Sequence, residues 1–228
     1  MKILITSGGT SEKIDRVRSI TNHSTGQLGK LIAETFLDRG HQVTLVTSPK
    51  ALKPEPDARL KILTVENVAD LLETLEPLVK EHDVLIHAMA VSDYSPSYMT
   101  GFSQLAQASK LEEFLTMKNQ ESKISSEEDF QVLFLKKTPK IISLVKTWNP
   151  KIRLVGFKLL VDVSKEELIQ VARESLLKNQ AEIIVANDLT TIDDQQHLAY
   201  LVDEKEENLA KTKQEIAQLL LERLSHSE

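Results

Sequence analysis

Cysteine is absent from the 228 residues. Its absence excludes disulfides, a thiolate nucleophile and any zinc site built on thiolates. Aromatic residues are only 4% of the chain, so aliphatic side chains must build the core. No run reaches the roughly 18 apolar residues of a membrane-spanning helix, and no signal-peptide pattern opens the chain. An excess of positive charge is also missing. The formal net charge is −6, against the basic footprint that nucleic-acid binding needs. A cytoplasmic protein with no nucleic-acid or membrane partner is the expectation. What remains, 41% hydrophobic and 27% charged residues, is the balance of an ordinary globular chain, long enough to hide most of its apolar surface.

Read in order, apolar runs alternate with helical spacing. Lys2 to Thr6 reads as a buried strand. Leu28, Leu31, Ile32 and Phe36 recur as one helix face, with Gly40 as its stop. Strands are expected at Gln42–Thr47, Leu60–Val65 and Asp83–His87, with a helix capped by Asn67 before the last of them. This βα alternation predicts a doubly wound, mainly parallel, Rossmann-like α/β sheet. It breaks down between about residues 89 and 128, which hold no strong period and read as a long flap or insertion. That stretch is either disordered or carries a short packed helix around Leu105, Leu111, Phe114 and Leu115. The pattern resumes with a strand at Phe130–Leu135, a helix from Pro139 capped by Thr138, and a strand at Ile152–Phe157. Then come a helix opened by the Ser164/Glu167 capping box, a strand at Glu182–Ala186, a strand at His197–Val202 and a last helix from Asn208 to Leu224. No repeat or linker divides residues 1–228, so a single domain with one flap is expected.

The connection between the first strand and the first helix is the anomaly. Such turns usually take about two to six residues, but here the stretch ITSGGTSEKIDRVRSITNHSTGQLG intervenes. Gly8, Gly9, Gly26 and Gly29, with Ser24, could cradle phosphates at the positive end of the helix. They could equally permit tight turns and helix–strand packing. Arg18 suits bidentate contact with phosphate or carboxylate, or is a solvated charge. Asn22 is an amide contact or satisfies loop backbone, and the adjoining His23 has no partner at metal-ligand spacing. In a sheet of this kind ligands sit at the carboxyl ends of strands. The loops expected there are Ser7 to Thr10, Ala88 to Tyr94, Phe157-Lys158 and Asn187-Asp188. Asp93 is a ligand contact, a water-mediated Mg²⁺ contact or a turn former. Lys123 is a solvated lysine or a cation carried on a closing flap.

Taken together, SGGT after the first strand, D-x-VR-x-I-x-NHS-x-G-x-x-G, A-x-AVSDY, the lysine before Ile124, VGF and VAND resemble the phosphopantothenate–cysteine ligase (phosphopantothenoylcysteine synthetase) family over nearly the whole chain. With no flavin-binding decarboxylase domain ahead of Met1, the resemblance is to the stand-alone bacterial type. It implies ligation of 4′-phosphopantothenate with L-cysteine through an acyl-nucleotide, with CTP as co-substrate in most bacterial members and Mg²⁺ shielding charge. By resemblance, Gly8, Gly9, Ser24, Gly26, Gly29, Phe157 and Asn187 match nucleotide positions, and Lys123 matches the flap lysine that helps form the acyl-nucleotide. Asn22 matches the asparagine needed to turn that intermediate over. Arg18, Met89, Ala90 and Asp93 match the phosphopantothenate site. The counterpart of Arg18 reaches across a dimer interface, so a homodimer is implied. No metal ligands are assigned.

Three departures bear on the nucleotide. The flap reads Lys123-Ile124-Ser125-Ser126 where many bacterial members carry K-I-K-K. Members that use CTP often carry two lysines four apart before the VAND loop. Here that region is Ser175-Leu176-Leu177-Lys178-Asn179, and Lys178 fits the nucleotide set after a shift of one residue. Phe157-Lys158-Leu159 is similar to the eukaryotic branch, which uses ATP. CTP is the expected co-substrate and ATP the alternative. An NAD(P)-binding Rossmann oxidoreductase is the reading from another class. It calls for a compact G-x-G-x-x-G and an acid closing the second strand, whereas that strand closes Val46-Thr47-Ser48.

Overall fold

The computed structural model describes residues 1–120, 122–125, 127–193 and 196–225; Glu121 and Ser126 of the flap sequence lie outside the described residues. Strand β1 (Lys2–Ser7) is buried at every position but its first, as a strand covered on both faces must be. After it come a small hairpin of β2 (Ser11–Lys13) and β3 (Ser19–Thr21), helix α1 (Gln27–Asp38), β4 (Gln42–Thr47), β5 (Leu60–Thr64), α2 (Val68–Glu81) and β6 (Val84–His87). The chain continues through β7 (Tyr94–Gly101), α3 (Phe102–Ala106), β8 (Gln131–Lys137), α4 (Val145–Trp148), β9 (Arg153–Leu160) and α5 (Lys165–Asn179). It ends with β10 (Ile183–Asp188), β11 (Ala199–Val202), β12 (Glu207–Ala210) and α6 (Lys213–Ser225). The caps read from the sequence form. Asn67 accepts from the Asp70 N–H at 2.9 Å and Ser164 from the Glu167 N–H at 3.1 Å, each supplying a partner for a first-turn N–H that has none inside its helix.

Eight strands make one sheet in the order β12-β11-β10-β9-β6-β1-β4-β5. All neighbours from β10 to β5 pair in parallel, and β11 and β12 add an antiparallel edge. The chain winds from β1 outward to β5, then returns to place β6 on the other side of β1. The carboxyl ends of β1 and β6 therefore flank a topological switch point, where open α/β sheets bind ligands. Period-two alternation splits the apolar residues between two cores. Ile3, Ile5, Val155 and Val185 meet α1 and α6, whereas Leu4, Leu85, Leu154 and Ile184 meet α2 and α5.

Several elements differ from the sequence expectation. The long first connection carries the β2–β3 hairpin, whose strands of three residues are too short to show a period. The aperiodic stretch holds β7, hidden by its polar composition and by Pro96, where the pairing slips between Pro96 and Tyr98. β7 pairs antiparallel with β8 in a separate two-stranded ribbon. The insertion is thus an arm over residues 94–137, and the strand expected at Phe130–Leu135 is its return limb. A 3₁₀ turn at Leu111–Leu115 buries Phe114 between Tyr98 and Phe134, with ring centroids 6.1 and 5.5 Å away. This is the packed-helix alternative in a tighter form. Thr138 caps no helix. Its N–H donates to the Asp93 carbonyl and its hydroxyl to the Ser92 carbonyl, which closes the arm at its base. The helix expected from Pro139 is a 3₁₀ turn followed by α4. Phe157-Lys158 and Asn187-Asp188 lie in strands rather than loops, because β9 and β10 pair on to Leu160 and Asp188. Glu207–Ala210 is an edge strand, so the last helix starts later than Asn208.

Candidate active site

The two loops at the switch point are zipped to each other. Beyond the strand ends, the Ala90 N–H donates to the Gly8 carbonyl (2.9 Å) and the Thr10 N–H to the Ala90 carbonyl (3.1 Å). The Thr10 hydroxyl accepts from the Ser92 N–H (2.9 Å), and the Thr6 hydroxyl accepts from the Met89 N–H (3.2 Å). The Met89 side chain is buried in the α2/α5 core. Met89 and Ala90 have therefore spent their N–H groups on Thr6 of β1 and on Gly8 just beyond it, and they shape this floor more than they offer donors to a ligand. His87 lies beneath it with Nδ1 2.8 Å from the Thr6 hydroxyl. Burial, with a smaller contribution from nearby Lys140, pushes its imidazole down to about 4, so it is neutral near pH 7.

The glycines set how closely backbones approach. A Cβ on Gly9 would lie 2.4 Å from the Asn22 carbonyl oxygen, because the chain returning from the hairpin lies directly on the loop, where the Asn22 N–H donates to the Thr10 carbonyl (3.3 Å). A Cβ on Gly29 would lie 2.4 Å from the Cβ of Ser7, so α1 packs against the end of β1. Gly26 opens α1 in the left-handed region and brings no capping side chain; the Thr25 hydroxyl accepts from the Gln27 N–H at 3.3 Å. The positive end of α1 therefore faces the loop carrying exposed Ser24. The segment after β4 closes that side. The Leu52 N–H donates to the Thr25 carbonyl, and the Lys53 ammonium is held by the Pro49 and Ala51 carbonyls. A cavity of about 310 Å³ separates this segment from the hairpin, lined by Gly9, Ser11, Lys13, Thr21, Ser48 and Lys50 among others.

Strand alternation places the remaining candidates. Phe157 packs with the α1/α6 core. Asn187, two residues after Val185 of the same core, shares that face, with its Nδ2 3.5 Å from His197 Nε2. Ser7, Gly26, Gly29, Phe157 and Asn187 thus gather on the α1 face at the carboxyl edge. Asp188 points the other way. It accepts from the Val163 N–H, from the hydroxyl and N–H of Thr190 and from the Asp162 N–H, which hold its carboxyl down to about 2, so its role is to brace the loops. Lys178 does not join the set. It lies in the last turn of α5, which packs on the opposite face. A helix of 15 residues carries its end about 22 Å from its start, toward the amino-terminal edge of β10.

At the hairpin tip, Arg18 pairs with Asp15 (2.6 Å) and also donates to the Ile124 carbonyl (2.9 Å), which brings Lys123 beside it. Asp93 sits at the arm's base, paired at 3.0 Å with Lys140, both well exposed. The sequence reading gave no role to Asp15, Thr6 or His87. The one available signal was the position of Asp15 three residues before Arg18, at Asx-turn spacing. Among the described residues, no three His, Asp or Glu side chains lie together as metal ligands. No helix among them is long and apolar enough to cross a membrane.

The family model for the DNA/pantothenate metabolism flavoprotein C-terminal domain matches residues 1–227. The chain belongs to this family. It is 34% identical over 222 residues to the coenzyme A biosynthesis bifunctional protein CoaBC of Thermococcus kodakarensis, a match covering 96% of the chain and 49% of that relative. It spans about half the length of the curated relatives it matches. A solved DNA/pantothenate metabolism flavoprotein from Streptococcus pneumoniae is 57% identical, with a TM-score of 0.96 and full coverage of both chains. A Cab2 mutant solved in complex with phosphopantothenate-cysteine shares the fold of the domain. The TM-score is 0.73 at 20% identity, over 99% of this chain and 88% of that one.

Proposed function

We propose that this chain joins 4′-phosphopantothenate to L-cysteine in coenzyme A biosynthesis, with CTP as activating nucleotide. The observation that carries the reading is the contact of Asn22 with Gly9. The hairpin lays the main chain of Asn22, the residue matched to the acyl group, on the loop matched to the nucleotide, which supports a reading in which the two substrates meet at one place. Membership of a family whose curated relatives are named for coenzyme A biosynthesis supports it.

In the first step a carboxylate oxygen of phosphopantothenate attacks the α-phosphorus of CTP, the bond to the bridging oxygen breaks, and pyrophosphate leaves with its electron pair. In the second, the amine of cysteine attacks the acyl carbon, loses a proton, and CMP leaves. The α1 N-terminus and the glycine loop hold anionic oxygens, and Lys123 offsets charge developing at phosphorus. Asn22 orients the acyl group for the amine. Phe157 and Asn187 face the nucleotide from the sheet. Mg²⁺ enters with the nucleotide phosphates as part of the substrate, a mode that needs few protein ligands. A homodimer belongs to the proposal. What supports it is the set of exposed apolar side chains on the arm, among them Leu111, Leu115 and Phe130, and Val17 at the hairpin tip.

Pyrophosphate release with CTP, phosphopantothenate and Mg²⁺ tests the reading, with ATP run in parallel to set the base preference. Lys123→Gln is expected to abolish the acyl-cytidylate, and Asn22→Asp to let it accumulate unconsumed. Release with neither nucleotide refutes the ligase, and full turnover by Asn22→Asp refutes the role of Asn22.

A further inference from the structure

The segment bearing Lys123 is tied down by the hairpin tip, through Asp15 and Arg16, which the proposed reaction leaves without a role, and through Arg18. The Arg16 N–H donates to the Ser122 carbonyl at 3.0 Å. The Ile124 N–H donates to the Asp15 carboxylate at 3.2 Å, and the Ile124 carbonyl accepts from Arg18 at 2.9 Å. Lys123 is therefore flanked on both sides by main chain bonded to the hairpin tip. Ile124 is 7% exposed although its neighbours are polar, so an apolar anchor adds to the polar ones. Asp15 is the hub. One carboxylate oxygen accepts from the Val17 and Arg18 N–H groups, and the other accepts from the Arg18 guanidinium and from Ile124. Its side chain is 1% exposed.

We propose that Asp15 is a positioning residue that holds Arg18 and the main chain around Lys123 in one frame at the hairpin tip. This rests on the ligase reading for its catalytic consequence, but the tether itself does not. A lysine has four rotatable side-chain bonds, so its ammonium reaches a defined point only when its backbone is fixed. Fixing both flanks removes the ordering cost from the step in which charge develops. The hub also explains why a short hairpin interrupts the first βα connection. It presents the strap that carries the lysine from the same loop that carries Asn22.

Asparagine at position 15 keeps one acceptor oxygen but loses the charge that pairs with Arg18, and it turns an amide NH₂ toward a donor. In the full-length native protein, trypsin should then cut the Lys123–Ile124 bond about tenfold faster, the factor for one charge-assisted hydrogen bond. Cleavage at Lys50 and the thermal midpoint should match wild type. The turnover number should fall by a similar factor with the KM for CTP unchanged, a split that general destabilisation does not produce. If Asp15→Asn fails to fold, Arg18→Lys, which keeps the charge but loses the paired donation to Asp15 and with it the bond to Ile124, is measured in the same way. Unchanged cleavage at Lys123–Ile124, or faster cleavage with an undiminished turnover number, overturns the proposal. If wild type releases no pyrophosphate with CTP or ATP, the ligase reading fails while the cleavage comparison still decides the tether.

Discussion

Gly29→Ala tests whether α1 is seated on β1 as tightly as the structure shows. Helix propensity alone argues that alanine should stabilise α1 by about 1 kcal/mol. The new Cβ, however, would lie 2.3 Å from Oγ and 2.4 Å from Cβ of Ser7, against 3.4 Å for the lower end of ordinary contact. Ser7 Cβ is fixed to the strand backbone and cannot rotate away, so helix and strand must separate by roughly 1 Å. That movement also strains the bond from the Ser7 hydroxyl to the Gly26 carbonyl. Overpacking of this kind costs about 1–3 kcal/mol, so after the propensity gain of about 1 kcal/mol the expected net loss is about 0–2 kcal/mol in urea denaturation at constant m-value. Ser7→Ala keeps the offending Cβ and should not relieve the cost. Ser7→Gly removes it, so Gly29→Ala in that background should become stabilising by about 1 kcal/mol. Since α1 opens on the loop proposed to hold the nucleotide, CTP affinity should fall with stability in the single variant and recover relative to Ser7→Gly in the double one. A stabilised Gly29→Ala protein, or a cost that persists in the Ser7→Gly background, would refute the packing argument.

The imidazole of His87 predicts a second result. Its folded value of about 4 lies below the ordinary 6.5, so the unfolded chain takes up its proton first as the solution is acidified. The stability it lends is complete above about pH 6.5 and is lost as pH falls to about 4, for a total of about 3 kcal/mol. Denaturation of wild type against His87→Gln across that window should show the difference shrinking, and a constant gap would refute it. Phe114→Ala should remove the centre of the arm's aromatic group at a cost of about 3 kcal/mol, read as faster amide exchange in β7 and β8 with the eight-stranded sheet unaffected. Exchange that rises equally throughout would mean that the arm is not a separate packing unit.

The main sheet was legible because its strands are buried on both faces and its helices carry long apolar stripes; Gln42–Thr47 and the Ser164 box are read directly. The arm was not, since β7 offers polar residues and a proline where alternation would announce a strand, and its partner β8 lies far along the chain. β12 escaped for a similar reason: Glu207–Ala210 is a short edge strand, and the polar residues that protect an edge read as the start of a helix. At the candidate site, glycine spacing singled out the loop at the switch point but not its geometry. Nothing in the sequence says that Asn22 lies on Gly9, or that Ile124, next to Lys123, is tied to Asp15. Lys178 shows the reverse failure, in which a motif match places a residue by sequence distance alone while helix length carries it to the other edge of the sheet.

The bonds from Thr138 to Ser92 and Asp93 make the chain enter and leave the arm at one point. For the folding of the sheet, everything between is a closed loop whose length matters little, because the entropy of closure grows only with the logarithm of chain length. The arm is thus exchangeable. Residues 94–137 could be shortened, lengthened or replaced by a tight turn while β6 still finds β9. The part of the molecule that carries Lys123 is then free to vary in a way that the glycine loop, zipped to the ends of β1 and β6, is not.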